Sequence, residues 1–235
     1  MYKRQDVGST KTEIHEEVIR LGMDANFIGG HPMTGSEKTG ILSATNTLLE
    51  NAYYIITPTA LTPKEEISEF RDFVLSLGAI PLILDYKIHD YSTAAISHLP
   101  HMIAYSLVNL VHQIDDDKET MKTIAAGGFK DITRIASSSP VMWQNICASN
   151  REPLLSLMDQ YLALLTKLRG YIDSSNEQAL LSFFQQAKDY RDSITLPSVK
   201  SPTVYYECFV DLVDETGGIA AVAGLLAQYL SLIHI

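Results

Sequence analysis

The sequence predicts an α/β region with part of a doubly wound parallel sheet, then an all-α region, then a truncated α+β segment. Three observations predict this order. Short β-branched or aromatic runs alternate with helical patterns in the first third of the chain, residues 89–194 show helical periodicity with little strand signal, and an alternating strand pattern returns after residue 202.

The composition is that of a globular protein. Of 235 residues, 46% are hydrophobic and 20% are charged, so the chain can bury a core. The formal net charge is −10 and no lysine or arginine cluster forms a basic face, which argues against nucleic-acid binding and means that an anionic ligand needs a local cation. No stretch predicts a membrane span, and the two widely spaced cysteines favour a reducing cytoplasm.

The two ends differ from the rest of the chain. LSLIHI is one translation of CTGTCTCTTATACACATC, and the reverse complement of the start of that DNA, GTGTATAAGAGACAG, reads MYKRQ when GTG initiates. This DNA resembles the inverted transposon end used in sequencing-library preparation. We therefore expect residues 1–5 and 230–235 to be adapter scars outside the fold, and the natural insert, 6–229, to be a fragment.

The first region is predicted to contain a βαβ unit. Its helix is LTPKEEISEFRDFVLSLG, with Thr62 as the expected N-cap and Gly78 as the stop signal. AYYIIT (52–57) and IPLIL (80–84) flank this helix, and each has the length of a buried parallel strand.

Upstream, residues 11–22 predict another helix, followed by a strand that ends near Ile28. In the segment GGHPMTGSEKTG (29–40), the glycine pair is expected to bend the backbone before His31. The loop then starts at the carboxyl end of a strand, where open α/β sheets bind ligands. Ser9 is expected at the same edge, although helix capping alone could explain it, and a histidine that only hydrogen-bonds within its loop is the commoner case.

The helical region contains the other candidates for chemistry. His98 and His101 flank Pro100, but no carboxylate or cysteine completes a metal site at ligand spacing, so we predict no metal. Pro100 suits the first turn of a helix, which would leave His101 near an amino end that favours anions. Arg134 lies four residues after Lys130 on one predicted helix face, which is either a solvated basic face or a fork for a carboxylate.

Two long helices, 153–172 and 176–194, are apolar on more than one face, so we expect them to pack against neighbours or a second subunit in a homodimer. Trp143, the single tryptophan, follows Pro140 at a predicted helix start, where a core position is the commoner alternative to a site.

Four motifs in this order, DVGSTK, GGHPMTGSEKTG, HDYSTAAISHLPH and GGFKDITRIASSSPVMW, resemble the prephenate dehydrogenase family of tyrosine biosynthesis. The segment VYYECFVDLVDETGGIAAVAGLLAQ resembles the opening strand and helix of an ACT domain, an amino-acid-sensing module. The resemblance divides the insert into the C-terminal half of a dinucleotide-binding domain (6–88), a helical substrate and dimerisation domain (89–196) and a truncated ACT-like domain (203–229).

The resemblance implies NAD(P)-dependent oxidative decarboxylation of prephenate to 4-hydroxyphenylpyruvate, with NAD as the expected cofactor and NADP not excluded. His31 corresponds to the catalytic histidine, and an imidazole with an ordinary pKa of about 6.5 is suited to accept the 4-hydroxyl proton. Ser9 corresponds to a serine that orients the histidine or the hydroxyl, and Arg134 to the carboxylate-binding arginine. The further implied substrate-binding residues are His101, Ser36, Lys130, Asp131 and Trp143. The residues implied beside the cofactor are Gly8, Ser9 and Met33.

The sequence departs from the family in one respect. Before DVGSTK there is neither a G-x-G-x-x-G motif nor the acidic residue that is expected after that motif to bind the ribose. We therefore expect the printed polypeptide alone to bind dinucleotide poorly and to be nearly inactive. Three alternatives stay open: an arogenate dehydrogenase, a regulatory protein that senses tyrosine or phenylalanine with a vestigial enzyme domain, and a metal-dependent hydrolase that uses His98 and His101.

Overall fold

The computed structural model describes residues 4–35, 40, 44–45, 47–194 and 217–228. The chain separates into two compact units, Met1–Val199 and Lys200–Ile235. In the second unit the described residues form one helix, Gly218–Gln228, where the sequence predicts a helix. The predicted strand before it lies outside the described residues.

The sheet of the first unit has the strand order β1-β2-β3-β4. The strands are β1 (Arg4–Asp6), β2 (Phe27–Pro32), β3 (Tyr53–Pro58) and β4 (Ile80–Ile83). β1 pairs with β2 and β3 with β4 in parallel, which confirms the βαβ unit, but β2 and β3 are antiparallel. The expected all-parallel sheet is therefore wrong at this central pair.

Arg4 and Gln5, which we expected to lie outside the fold, pair with Phe27 and Ile28 in β1. Strand pairing uses backbone N–H and C=O groups, so it does not require particular side chains at these positions.

β2 extends through His31, so Gly29 and Gly30 lie inside the strand and the expected bend at this pair is wrong. Neither glycine has a positive φ. The reason for glycine here is close packing. A Cβ on Gly29 would lie 2.7 Å from His15 Nε2 and even closer to Thr57 Oγ1, and a Cβ on Gly30 would lie 2.9 Å from Tyr54 Oη.

Two helices pack beside the sheet, α1 (Thr12–Arg20) and α2 (Lys64–Ser76). Gly78, at φ +77°, ends the α2 segment as predicted. Val74 of α2 is fully buried, whereas Leu77, directly after the helix, is exposed. The core of this region consists of Ile28, Tyr54, Ile56, Val74 and Ala79.

Neither predicted N-cap is correct. Thr62 accepts a hydrogen bond from Thr59 N and donates to Phe27 O, so its hydroxyl ties the loop to β2 and does not cap α2. Ser9 does not cap α1, whose first amides instead donate to Asp90. A sequence pattern predicts caps only from neighbouring residues, so it could not predict a cap by the distant Asp90.

After β4, one continuous helix spans Tyr86–Ile114. It consists of α3 (Tyr86–Thr93), a π-helical turn (Ala94–His98) and α4 (Leu99–Ile114). Pro100 lies in the first turn of α4, as predicted, but α4 continues directly from the π-helical turn. Pro100 lacks an amide donor, and the π-helical turn directly before it accommodates that loss. His101 consequently lies within a helix and not at a free amino end.

Length and mean hydropathy would allow Tyr86–Ile114 to cross a bilayer. We assign it to the folded domain because it contains the buried polar residues His89, Asp90 and His98. Such groups are costly in lipid, and here they bond to residues of other elements.

The described residues that follow in the first unit are mostly helical, which confirms the predicted α/β region followed by an all-α region. The helices are α5 (Thr120–Ile124), α6 (Gly127–Thr133), α7 (Pro140–Ser149), α8 (Arg151–Asp173) and α9 (Glu177–Ser193), with a 3-10 turn (Arg134–Ser137) after α6. The helix of the second unit is α10 (Gly218–Gln228). The division of the first unit at 88/89 stays a prediction.

The glycine packing yields a stability prediction. We expect Gly29→Ala to lower the free energy of unfolding by about 1–3 kcal/mol, because the added methyl group would overlap His15 and Thr57. Urea unfolding followed by circular dichroism measures this change. The control is Gly170→Ala in α8, where an added Cβ meets nothing within 4 Å, so stability should stay the same or rise by up to about 1 kcal/mol. Equal stability of the two variants would contradict the packing argument.

Candidate active site

A cleft of about 640 Å³ opens beside the ends of β1 and β2. Its volume is in the range of small-molecule sites. The lining residues that the sequence analysis singled out are Ser9, His31, Met33, His98, His101, Arg134 and Trp143. The remaining lining residues are Pro32, Thr34, Gly35, Thr93, Ser97, Ile135, Ser138, Met142 and Ile146.

His31 reaches the cleft from the end of β2. Its Nδ1 lies 2.8 Å from Nε2 of His89 on α3, which leaves its Nε2 as the ring nitrogen available to the cleft. The two rings meet edge to face, with centroids 5.0 Å apart. The stiffness of the site at this point comes from a strand and a buried ring, and not from the sharp bend that the sequence suggested.

Behind His89, the Asp90 carboxylate lies 2.8 Å from His89 Nδ1. It also accepts hydrogen bonds from the amides of Lys11 (2.8 Å) and Thr12 (2.7 Å). Both His89 and Asp90 are fully buried. The sequence signal for these two residues is weak, because an adjacent His-Asp pair in a helix indicates no function by itself.

The structure changes the expected basicity of His31. Burial lowers the pKa of His31 from 6.5 to about 3, and the nearby His89, Lys11 and His98 act in the same direction. The ordinary value near 6.5 is therefore wrong for the ring without ligand. His31 is neutral throughout the physiological pH range, and it can accept a proton.

The opposite wall of the cleft contains His101 and Trp143. Their rings stack with centroids 3.8 Å apart, and His101 Nδ1 donates to Ser97 O at 2.8 Å. Trp143 is only 6% exposed, so it belongs both to the core and to the cleft wall. Deeper in the same wall, His98 Nδ1 lies 3.1 Å from Asn150 Nδ2, and burial lowers the pKa of His98 to about 4.

Arg134 lies on the cleft in the 3-10 turn that follows α6. None of the described lining residues is acidic. A cleft that combines a guanidinium group, three histidines and no carboxylate favours an anionic ligand, even though the whole chain has a net charge of −10.

Some predicted site residues lie elsewhere. Lys130 and Asp131 are exposed on α6 and do not line the cleft, whereas Arg134, at the start of the 3-10 turn that follows, does. Gly8 is also outside the lining, and its amide donates to Asp6 Oδ1 at 2.8 Å. Ser36 lies outside the described residues.

The described residues contain no group of three histidine, cysteine, aspartate or glutamate side chains that could hold a metal ion. The Nδ1 atoms of His98 and His101 lie beside Asn150 and the Ser97 carbonyl, respectively.

Two parts of the chain match models of one protein family. A family model described as "Prephenate dehydrogenase, nucleotide-binding domain" matches residues 4–81, and one described as "Prephenate dehydrogenase, dimerization domain" matches residues 85–186. The prephenate dehydrogenase of Bacillus subtilis (strain 168) is 38% identical over 223 residues, which are 94% of this chain and 60% of that protein. The chain thus spans about three fifths of that relative's length.

Two solved structures extend the likeness to the fold. Prephenate dehydrogenase from A. aeolicus, in complex with hydroxyphenyl propionate and NAD+, has a TM-score of 0.76 and 30% identity, covering 81% of this chain and 66% of that one. Synechocystis arogenate dehydrogenase has a TM-score of 0.72 and 31% identity, covering 80% of this chain and 68% of that one.

The buried histidines yield a pH prediction. The pKa values of His15, His31 and His98 are lowered to about 4, about 3 and about 4, so between pH 6.5 and 4 the unfolded chain binds protons that the folded chain does not. Stability present above pH 6.5 should therefore be lost as pH falls, with a slope of about 1.4 kcal/mol per pH unit for each histidine. Urea unfolding at several pH values between 7.5 and 4.5 measures the slope.

The control for this prediction is His15→Gln. Gln can still hydrogen-bond to Thr57, but it does not titrate, so the slope should become about one histidine smaller. Stability that stays constant or rises between pH 6.5 and 4.5 in the unaltered chain would show that these rings are not buried in their neutral form.

Proposed function

The chain belongs to the prephenate dehydrogenase family, and on that premise we propose that the full-length protein oxidatively decarboxylates prephenate to 4-hydroxyphenylpyruvate with NAD, in tyrosine biosynthesis. The observation that supports this most directly is the cleft, where a neutral imidazole and a guanidinium group face one cavity without an acidic residue among the described lining.

The cleft suits the chemistry of this substrate. Prephenate has two carboxylates and a six-membered ring. Arg134 supplies a fork for a carboxylate, and Trp143, Met142 and Ile146 supply an apolar wall for the ring. Holding the substrate at both features would orient its C4 carbon, which is itself a contribution to catalysis.

His31 is the general base in this proposal. Its Nε2 would accept the proton of the 4-hydroxyl as hydride leaves C4 and the ring carboxylate leaves as CO2. A bound dianion raises the pKa of a nearby imidazole, so substrate binding would increase the basicity of His31 above that of the empty site. Ser9, on the same cleft, is placed to orient the hydroxyl or the ring.

The residues present fit the nicotinamide end of NAD. β1 and β2 run parallel and end beside the cleft, where Ser9 and Met33 form part of the wall and Gly8 is exposed. These three residues would hold the nicotinamide end, and the cofactor, when bound, accepts the hydride. The printed sequence has no glycine-rich fingerprint for the rest of the dinucleotide.

We also propose that the protein is a homodimer through its helical region. A groove of about 250 Å³ between α4 and α8 is almost entirely apolar, and Leu110, Leu162 and Leu165 on its walls are 42–56% exposed. Exposed apolar patches of this kind mark interaction surfaces, and a second copy of the same helices is the natural cover. The match to a dimerization-domain model over residues 85–186 supports this assignment.

For the segment 203–229 we propose an ACT-like role, with tyrosine or phenylalanine as a feedback effector, on the basis of its sequence pattern alone. The cytoplasm is the proposed location, because the two widely spaced cysteines favour a reducing compartment.

Arogenate is the second candidate substrate, favoured by the likeness to the Synechocystis enzyme. It differs from prephenate in an amino group in place of the side-chain keto group.

A pair of variants tests the two assigned roles. In the full-length protein, His31→Asn should lower kcat by on the order of 10²- to 10⁴-fold with little change in KM, because it removes the base and keeps the cavity. Arg134→Ala should chiefly raise KM, because it removes a carboxylate contact. The measurement is NADH formation with prephenate, and with arogenate in parallel.

A second measurement is the binding of 4-hydroxyphenylpyruvate to the unaltered chain, which calorimetry detects without turnover. The control variant is Lys130→Ala, an exposed lysine outside the cleft lining, whose kcat should stay within about twofold. Unchanged turnover in His31→Asn would remove this residue from the chemistry, and faster turnover of arogenate than of prephenate would reassign the substrate.

The dimer is tested separately. Leu162→Glu should convert a dimer to a monomer, because it places a charge in the apolar groove of α4 and α8. Sedimentation analysis measures the mass. Gln160→Glu adds the same charge to an exposed position of α8 outside the groove lining and should leave the dimer intact. A monomeric mass for the unaltered protein would contradict the proposal.

A further inference from the structure

Three side chains form a continuous chain from the cleft into the core, of which the proposed function uses only the outermost. Nδ1 of His31 lies 2.8 Å from Nε2 of His89, and Nδ1 of His89 lies 2.8 Å from Oδ1 of Asp90. His89 and Asp90 do not line the cleft, and both are fully buried. They can therefore act on a substrate only through His31.

Asp90 is held as a carboxylate. Burial alone would raise its pKa, but hydrogen bonds from His89, Thr12 and Lys11 outweigh burial and lower the pKa of Asp90 below its ordinary value. The amides of Lys11 and Thr12 belong to the start of α1, where the helix dipole also favours a negative charge. Because an ionised carboxylate only accepts hydrogen bonds, Nδ1 of His89 must be the donor.

The protonation of the two rings follows from the donor role of His89 Nδ1. In the form of His89 that carries a proton on Nδ1 alone, Nε2 has a lone pair, and the short contact with His31 then requires a proton on His31 Nδ1. A neutral His31 with its proton on Nδ1 has its lone pair on Nε2. That is the nitrogen available to the cleft, and the form that a general base needs.

We propose that His89 and Asp90 are positioning residues that hold His31 in the tautomer with an unprotonated Nε2 toward the cleft, and that stabilise the imidazolium formed during turnover. This inference rests on the proposed role of His31. In the step itself, the substrate O–H proton moves to His31 Nε2, and the Nδ1 proton stays in its bond to His89. Asp90 stays anionic, so the new positive charge on His31 lies one imidazole ring away from a fixed carboxylate.

The charged groups around His31 agree with this order of donors and acceptors along His31, His89 and Asp90, which we call the relay. The charged or titratable groups that act on it are His89, Lys11, His98 and Asp90, and Lys11 is itself paired with Asp6. Asp90 is the only carboxylate in that set, and it is the one connected to His31 by hydrogen bonds. Thr93 Oγ1, 3.3 Å from His89 Nε2, can donate a second hydrogen bond to the same lone pair.

The direct test is the tautomer of His31 in the unaltered chain, read from the ring nitrogen shifts by proton–nitrogen correlation NMR at pH 7. The expected result is a protonated Nδ1 and an unprotonated Nε2. Asp90→Asn should reverse this pattern, because the new amide group can donate to His89 Nδ1 and turn its Nε2 into a donor. A protonated Nε2 on His31 in the unaltered chain would overturn the proposal.

Kinetics of the full-length protein give the second readout. Asp90→Asn should lower kcat by on the order of 10²- to 10⁴-fold with KM within about threefold, as expected for a base held in the wrong tautomer. The matched control is Asp85→Asn, which also changes an aspartate that caps a helix, here through the amides of Lys87 and Ile88, but lies outside the relay and is exposed. Its kcat should stay within about twofold.

His89→Phe and His89→Gln keep the test decisive if loss of the α1 cap unfolds Asp90→Asn. Both leave Asp90 in place, but only Gln retains an oxygen that can accept from His31 Nδ1. We expect His89→Gln to retain at least about tenfold more kcat than His89→Phe at similar unfolding midpoints. Equal kcat values in the two variants would reduce His89 to a packing role. Unchanged turnover in His31→Asn would remove the imidazolium from the reaction and so overturn the stabilising role of His89 and Asp90. A correct tautomer without NADH formation from prephenate or arogenate in the full-length protein would refute the proposed function and leave the positioning of the His31 ring intact.

Discussion

The interaction on which the rest of this structure depends is the buried carboxylate of Asp90. A charge removed from water is tolerated only where hydrogen bonds replace its solvation, and here two backbone amides and one imidazole do so. The amides begin α1 in the sheet region, whereas Asp90 lies on α3, the first helix after the sheet. One side chain therefore joins the two regions and holds the start of α1 against α3, the helix whose His89 contacts His31.

The second constraint is steric. β2 packs so closely against His15, Thr57 and Tyr54 that two successive positions have no room for a Cβ. Because the strand stays extended through Gly29 and Gly30, His31 leaves the sheet at a defined point beside the cleft. The π-helical turn before Pro100 has a comparable effect on the other wall, since it lets one helix continue past a proline and contribute both His98 and His101.

The charge of the cleft differs from the net charge of the whole chain. The chain has a net charge of −10, yet the described lining has no carboxylate and contains Arg134 and three histidines. Burial keeps His31 and His98 neutral, so the guanidinium group supplies positive charge while the imidazoles stay available for hydrogen bonding and proton transfer. This separation of roles is compatible with an anionic substrate whose reaction releases a proton, which is what the proposed function requires.

The sequence by itself determined the order of regions, the βαβ unit and most of the helices, because hydrophobic period and stop signals are local properties of the chain. It also indicated that Ser9, His31, His101 and Arg134 belong together, and the structure places all four on one cleft. The antiparallel pairing of β2 with β3, the cap of α1, the lowered pKa of His31 and the contacts of His89 and Asp90 were decided only by the tertiary structure. Each of these depends on groups that are distant in sequence and become neighbours only when the core is packed, so no local pattern encodes them.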